Sequence, residues 1–424
     1  MEVAGTTGRR RPVADLIERA IAARVEAGAA MFEPEAPRVA RCCRRMAERF
    51  ASGGSLISLG ADPAARSDAR HVSVEFVHPV IVGKRALPAI ALTAEGGPLG
   101  AQLEAAVARD DIVIGFGLGA ESAAAAETAA ALAGASDRGC MTIGFGPGVR
   151  ADAEDHWLFE PPSADPSIRQ ELVETLYHVL WELVHVFFEH AGLPAVSGSP
   201  ASASAPGAAG FLYPFLGEGG GDPDALLSDV SESVRMKSEE VGGLRAQTLR
   251  EGAAELAAAA GTLRACFERG GRLLAFGNGG SATDAMDVVA DFRLPEVAGW
   301  RSWPALDLTE DTPIITAVAN DIGVAEIFQR QLIATGRAGD VALAFSTSGG
   351  SENLIAGLAE ARRRGIATIA MVGYDGGRIA AEGLADSVII SRSQHVPRIQ
   401  EAQASAYHVL RELVEFDDLV AEPR

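Results

Sequence analysis

Two short segments of this 424-residue chain concentrate glycine and hydroxyl side chains between an apolar run and a helical pattern. Gly277-Asn278-Gly279-Gly280-Ser281 follows Leu273–Phe276 and precedes Ala282-Thr283-Asp284-Ala285-Met286. Ser346-Thr347-Ser348-Gly349-Gly350-Ser351 follows Val341–Phe345 and precedes Glu352-Asn353-Leu354-Ile355. A glycine-rich turn that opens a helix presents free backbone N–H groups and the positive end of the helix dipole, so an anion is its natural guest. The hydroxyls add donors, which makes a phosphate cradle without lysine. Neither segment is a P-loop or a dinucleotide fingerprint, so no nucleotide cofactor is expected. One such turn alone reads equally well as an N-cap. Two of them, after two strands of one sheet, are far more specific.

The elements that must hold these turns follow from the apolar pattern. The runs 273–276, 341–345, 367–372 and 387–390 are short, apolar on both faces and separated by helix-length segments. That is the pattern of parallel strands covered by helices on both sides. Ligands of such folds bind at the carboxyl ends of the strands, where the two turns lie. The chain also repeats itself. Tyr177-His178-Val179-Leu180-Trp181-Glu182-Leu183-Val184 matches Tyr407-His408-Val409-Leu410-Arg411-Glu412-Leu413-Val414, with Gln170-Glu171 and Gln400-Glu401 upstream. The stretch from Arg44 through Gly53-Gly54 to Gly60 matches the stretch from Leu263 through Gly270-Gly271 to Gly277, and Asp111–Phe116 matches Asp340–Phe345. Three matches in one order describe a duplicated domain. The copies are expected at 1–192 and 223–424. Between them, 193–222 is rich in Ser, Ala, Pro and Gly and reads as a linker, with an apolar cluster at Phe211–Leu216.

The motifs Gly277–Ser281, Asn320-Asp321, Ser346–Ser351, Gly373-Tyr374-Asp375-Gly376-Gly377 and Gln400-Glu401 through His408 resemble those of sugar isomerase (SIS) domains. Among these the phosphoheptose isomerases are most similar; they interconvert sedoheptulose 7-phosphate and D-glycero-D-manno-heptose 7-phosphate. The resemblance is specific over about 225–420 and weaker over about 30–190. It implies an α/β protein of two tandem SIS domains, each a parallel sheet with helices on both faces. It also implies a sugar phosphate held by Asn278, Gly279, Gly280, Ser281, Ser346, Thr347, Ser348 and Ser351, with Asn320, Asp321 and Gln400 positioning the sugar. The family's divalent metal is held by His and Glu four apart on the first helix, then Gln and His eight apart on the last. Aldose–ketose isomerisation needs such a group: a base for the carbon proton, an acid for the oxygens and a charge that stabilises the enediolate.

The two copies divide this set. The second has Gln400 and His408, but Asp287 and Asp291 replace the first-helix His and Glu. Asp291 is the expected base, His408 the acid, and Asp287, Asp291, Gln400 and His408 the metal candidates. An Asp pair suits Mg²⁺ or Mn²⁺ as well as Zn²⁺. The first copy aligns His71 and Glu75 with those positions and adds Gln170 and His178, which completes the family's metal set. Its loops are degraded, however. Gly60-Ala61-Asp62-Pro63-Ala64 brings a carboxylate near the phosphate position, and Gly117-Leu118-Gly119-Ala120 lacks hydroxyls. Either the first copy is a scaffold, or the two copies share a site.

Composition bounds the rest. Lys plus Arg number 37 against 57 Asp plus Glu, a net charge of −20, which argues against nucleic acid and anionic membranes as partners. No apolar run reaches the ~18 residues of a membrane span. Arg9-Arg10-Arg11 leads into no apolar signal region, and Cys42, Cys43, Cys140 and Cys266 form no disulfide framework. A cytoplasmic protein with reduced thiols is expected, a homodimer presenting a pseudo-tetramer of SIS domains. The rival to the isomerase is a non-catalytic SIS module that senses a phosphosugar or docks a protein partner. The Asp287 and Asp291 replacements favour it; the intact loops with Gln400 and His408 favour the enzyme.

Overall fold

The computed structural model describes residues 13–79, 84–118, 122–147, 155–190 and 223–416. Gly119, Ala120 and the 193–222 segment with its Phe211–Leu216 cluster lie outside the described residues. The first copy supplies the strands β1 (Leu56–Gly60), β2 (Ala89–Thr93), β3 (Ile112–Gly115), β4 (Met141–Phe145) and β5 (His156–Phe159). The second supplies β6 (Leu273–Phe276), β7 (Ala305–Asp307), β8 (Val341–Ser346), β9 (Ala367–Gly373) and β10 (Ser387–Ser391). Each set forms one five-stranded sheet, ordered β2-β1-β3-β4-β5 and β7-β6-β8-β9-β10, and every neighbouring pair runs parallel. The identical order is the mark of duplication. It places a topological switch point between β1 and β3 and another between β6 and β8, where an α/β sheet opens a crevice for ligand. Strand β7 is an addition to the four strands expected from the second copy's apolar runs.

The helices are α1 (Val13–Ala51), α2 (Pro63–Val77), α3 (Leu99–Ala106), α4 (Ala123–Asp137) and α5 (Pro166–His190) in the first copy. In the second they are α6 (Pro223–Glu251), α7 (Ala253–Glu268), α8 (Gly280–Arg293), α9 (Thr312–Asp321), α10 (Ile327–Thr335), α11 (Glu352–Arg363), α12 (Gly377–Ala381) and α13 (Val396–Glu415). Compactness divides the chain into two units that do not follow the copies. The first-sheet unit takes Glu26–Gly242 together with Asn278–Ala290, and the second-sheet unit takes Met1–Val25, Gly243–Gly277 and Asp291–Arg424. Most of α8 therefore packs with the first sheet, although its sequence belongs to the second copy.

In the first-sheet unit the core gathers Phe50, Phe76, Phe116, Phe145, Tyr177 and Trp181. In the second-sheet unit one core gathers Phe276, Phe328, Leu358 and Val372. The last helix of each copy is buried far beyond one face: residues 171–187 of α5 and 397–411 of α13 are all buried. A helix enclosed all round is expected to be apolar. These two carry Glu174, His178, Gln400 and His408 in the enclosed stretch, so their polar groups must be answered locally. All four cysteines are free and buried. Among the described residues no helix is long and apolar enough to cross a membrane.

Candidate active site

The two glycine–hydroxyl turns leave the carboxyl ends of β6 and β8, which are adjacent and parallel. In the second turn Ser346 is buried and its Oγ accepts the Gly349 N–H at 3.0 Å, while Ser348 Oγ accepts the Gly350 N–H at 3.3 Å. Gly349 has φ +61°, and a Cβ there would stand 2.2 Å from the Gly376 carbonyl oxygen. The Gly373–Gly377 turn thus backs the hydroxyl turn and leaves room for glycine only. Ser346 shapes the loop; Thr347, Ser348 and Ser351 carry hydroxyls on its more open side. Ser351 precedes α11 without a side-chain capping bond, so its hydroxyl is not consumed by the helix. In the first turn Asn278 and Gly279 are exposed, and Ser281 is buried in the opening turn of α8. Asn320 and Asp321 end α9, both exposed, with Asn320 Nδ2 donating to Asp321 Oδ1 at 2.7 Å.

The second-sheet unit brings Asp291 and His408 together. His408 Nε2 lies 3.5 Å from Asp291 Oδ2; the imidazole is enclosed and the carboxylate is a quarter exposed. Arg411 fixes the helix end beneath them. Its guanidinium donates to the Asp291 carbonyl at 3.2 Å and stacks over Phe292 and Trp300, each at 4.8 Å. Gln403 Nε2 reaches the Ser346 carbonyl at 3.4 Å, so α13 is tied to the start of the hydroxyl turn. Gln400 is buried on the same helix.

In the first-sheet unit the corresponding turn carries a carboxylate. Asp62 caps α2, accepting the Ala65 N–H at 2.8 Å, and its other oxygen lies 2.5 Å from where a Cβ on Gly117 would be. The carboxylate therefore spans both loops of the degraded crevice, as the substitution of Asp for glycine implies. Burial pushes the Asp62 carboxyl above its ordinary value.

Behind it lies a closed polar cluster. His71 and His178 face each other, Nε2 to Nε2, at 3.4 Å, and Tyr177 Oη lies 2.8 Å from His71 Nδ1. Glu75 Oε1 is 3.9 Å from His71 Nε2, and Glu174 Oε1 is 4.0 Å from His71 Nδ1. Among the described residues, His71, Glu174 and His178 place one donor atom each within 4.8 Å of one another, a set that fits a divalent cation. Burial and the neighbouring His178 hold the His71 imidazole well below the usual histidine range. Burial and the carboxylates of Glu174, Asp68, Asp287 and Asp284 push the Tyr177 hydroxyl up.

Gln170 Nε2 donates to Asp287, and Ser67 Oγ donates to the other oxygen of the same carboxylate. Asp287 and Asp291, expected side by side as one pair, take different partners. The physical reason is that Asp287 falls in the part of α8 that packs with the first sheet, whereas Asp291 falls beyond it. Glu174 was not anticipated. Its signal is present: it stands four residues after Gln170 and four before His178, on the same face of α5.

Fold and site together define a doubly wound α/β protein built twice, with two glycine–hydroxyl turns at one switch point of the second copy and a carboxylate and an imidazole 3.5 Å apart in the same copy. The SIS domain family model matches residues 238–373. A phosphoheptose isomerase of Desulfovibrio desulfuricans is 40% identical over 193 residues, which are 46% of this chain and 87% of that protein. Two solved structures match nearly the whole chain. The C-terminal domain of glucosamine-fructose-6-phosphate aminotransferase from Francisella tularensis is 9% identical, covers 97% of both chains and has a TM-score of 0.58. The tagatose-6-phosphate ketose/aldose isomerase of Escherichia coli is 13% identical, covers 98% of this chain and 99% of its own, and has a TM-score of 0.54. These two likenesses speak for the fold. The chain belongs to the SIS domain family, as a tandem member related to the phosphoheptose isomerases.

Proposed function

We propose that the second copy is a phosphosugar aldose–ketose isomerase acting on sedoheptulose 7-phosphate or a close analogue. The observation that carries this reading is the Asp291–His408 pair at 3.5 Å on elements tied to the hydroxyl turn. The phosphate would be held by Thr347, Ser348 and Ser351, with Ser346 shaping the cradle and Asn320, Asp321 and Gln400 orienting the sugar. Asp291 removes a proton from C1 of the ketose and returns it to C2 of the aldose. His408 moves the hydroxyl proton from O1 to O2, so that the enediolate between the two carbons is protonated in the right place. Asp291, Gln400 and His408 are the residues of this copy that would hold a divalent cation, Zn²⁺ or Mg²⁺ or Mn²⁺, and such an ion supplies charge stabilisation to the enediolate. The chain would act as a homodimer with four SIS domains.

The test is turnover of sedoheptulose 7-phosphate followed by NMR with each cation in turn. Asp291→Asn and His408→Ala are each expected to lower kcat at least a hundredfold with a smaller change in KM. Ser348→Ala with Ser351→Ala is expected to raise KM instead. A non-catalytic, phosphosugar-sensing reading has one observation in its favour. Asp287, at the family's histidine position, is engaged by Ser67 and Gln170. Phosphosugar binding with no turnover under any of the cations would establish that reading in place of the isomerase.

A further inference from the structure

We infer that Arg411 is a positioning residue: from one turn after His408 on α13 it holds the last turn of α8, and so sets the Asp291 carboxylate opposite the His408 imidazole. The kinetic consequence rests on the isomerase reading above; the structural one rests on geometry alone. His408 and Arg411 stand three residues apart, on one face of α13. A single helix therefore carries both the imidazole and the clamp on the carboxylate it faces.

The clamp acts where α8 needs partners. A helix ends with carbonyls that have no partner inside the helix. Helix α8 ends at Arg293, and two of its last carbonyls are answered from outside. The Asp291 carbonyl accepts from Arg411 Nε at 3.2 Å, and the Phe292 carbonyl accepts the Trp303 N–H at 2.6 Å. Arg411 Nη2 also donates to the Arg301 carbonyl at 2.7 Å, and Nη1 donates to Glu415. Glu415 in turn accepts from Trp303 Nε1 at 3.0 Å. The guanidinium carbon lies 4.8 Å from the ring centres of both Phe292 and Trp300, and Arg411 is 1% exposed. A planar guanidinium makes several bonds in fixed directions while it stacks on rings, which an ammonium does not. One side chain thus gathers the end of α8, the 294–303 segment that leads to β7, and the end of α13.

The duplication supplies an internal comparison. Asp291 and Phe292 align with Glu75 and Phe76 of the first copy, and Arg411 aligns with Trp181. Trp181 is fully buried in the apolar core of its unit. The copy with the longer acid has an indole, which donates a single bond. The copy whose acid is one methylene shorter has the guanidinium that ties down the backbone of that acid. A shorter side chain has less reach, so the backbone behind it must be held more closely to keep the carboxylate 3.5 Å from His408 Nε2. A misplacement of about 1 Å costs about a hundredfold in rate.

The experiment compares the unmodified chain with two variants. Arg411→Met fills the space between the rings and removes every donor, and Arg411→Lys keeps the charge without the fork. Turnover of sedoheptulose 7-phosphate and hydrogen–deuterium exchange are measured on each. Arg411→Met is expected to lower kcat about a hundredfold while KM stays within about threefold. Amide exchange across 291–303 should rise about tenfold or more, with exchange across 346–351 unchanged. If Arg411→Met does not fold, Arg411→Lys carries the same comparison, with kcat about tenfold lower. A residue that only stabilised the fold would lower the melting temperature and leave kcat of the folded protein intact. The inference is overturned if the folded variant keeps kcat within about threefold of the unmodified chain, if KM rises as much as kcat falls, or if exchange across 291–303 is unchanged. An unmodified chain without turnover would overturn the isomerase reading instead, and the exchange result would then decide by itself whether Arg411 holds the end of α8.

Discussion

Gly279 and Gly349 occupy corresponding places in the two anion-binding turns and share a left-handed backbone, φ +58° and φ +61°, yet they are not equally replaceable. A Cβ on Gly279 would meet nothing within 4 Å, whereas one on Gly349 would stand 2.2 Å from a backbone carbonyl that cannot swing aside. Gly279→Ala should therefore cost only the left-handed penalty, about 1–2 kcal/mol. Gly349→Ala should cost that and a displaced backbone, about 3 kcal/mol or more. It should also weaken phosphosugar affinity, because the Ser346–Gly349 bond cannot survive the shift. Urea unfolding of the two variants side by side measures the difference; equal losses would mean that the Gly373–Gly377 turn yields easily and does not set the loop. This distinction depends on a contact between residues 27 positions apart and is invisible in either motif alone.

At the scale of the element, α2 and α8 show what the sequence does and does not reveal. Helix α8 opens with the glycine–serine turn and α2 with the degraded turn that carries Asp62, and both were legible because glycine, serine and aspartate before a helix are local signals. Strand β7 was not legible: Ala305–Asp307 has three residues and no apolar run. The partners of Asp287 were not legible either, since Gln170 and Ser67 lie 117 and 220 residues away in sequence. Glu174 was legible through its α5 spacing, but a family pattern that stops at Gln and His draws attention past it. The helix-opening turn of α2 also carries its own test. Burial raises the Asp62 carboxyl in the folded chain above its ordinary value of 3.8. A carboxyl so raised binds its proton more tightly folded than unfolded. Stability is therefore highest below the ordinary carboxyl pKa and declines as pH rises through the window up to the folded value. Asn keeps the cap to Ala65 without the buried charge. Asp62→Asn should raise the urea midpoint at pH 7, and its advantage should shrink on acidification below the ordinary carboxyl range. A lower midpoint at pH 7 would show that the ionised cap at the helix dipole outweighs its desolvation.

At the scale of the whole chain, one domain plan has been used twice and specialised in opposite directions. The same strand order carries two glycine–hydroxyl turns in one sheet and, in the other, Asp62 between the corresponding loops together with a buried His–Glu cluster. With a net charge of −20, a phosphosugar of the kind proposed would need local donors such as the hydroxyl turns offer. One surface of the second-sheet unit calls for cover. Helix α9 has no buried residue; Ile314 on it is 44% exposed, and Ile322 and Val324 just beyond it are 54% and 64% exposed. If the chain is the homodimer proposed above, these large aliphatic side chains on one short segment are its candidate association surface. A second copy of this chain is the occupant consistent with a four-domain assembly. Burying a side chain of this kind contributes about 1.5–3 kcal/mol. Ile322→Asp with Val324→Asp should then weaken the dimer by about 3 kcal/mol, more than a hundredfold in dissociation constant. In sedimentation velocity at micromolar concentration the unmodified chain should run at twice the mass of the double variant. Because Asn320 and Asp321 sit on the same segment, loss of the dimer should raise KM for the phosphosugar as well. An unmodified chain that sediments as a monomer, or a double variant that remains a dimer, would remove this surface from the assembly.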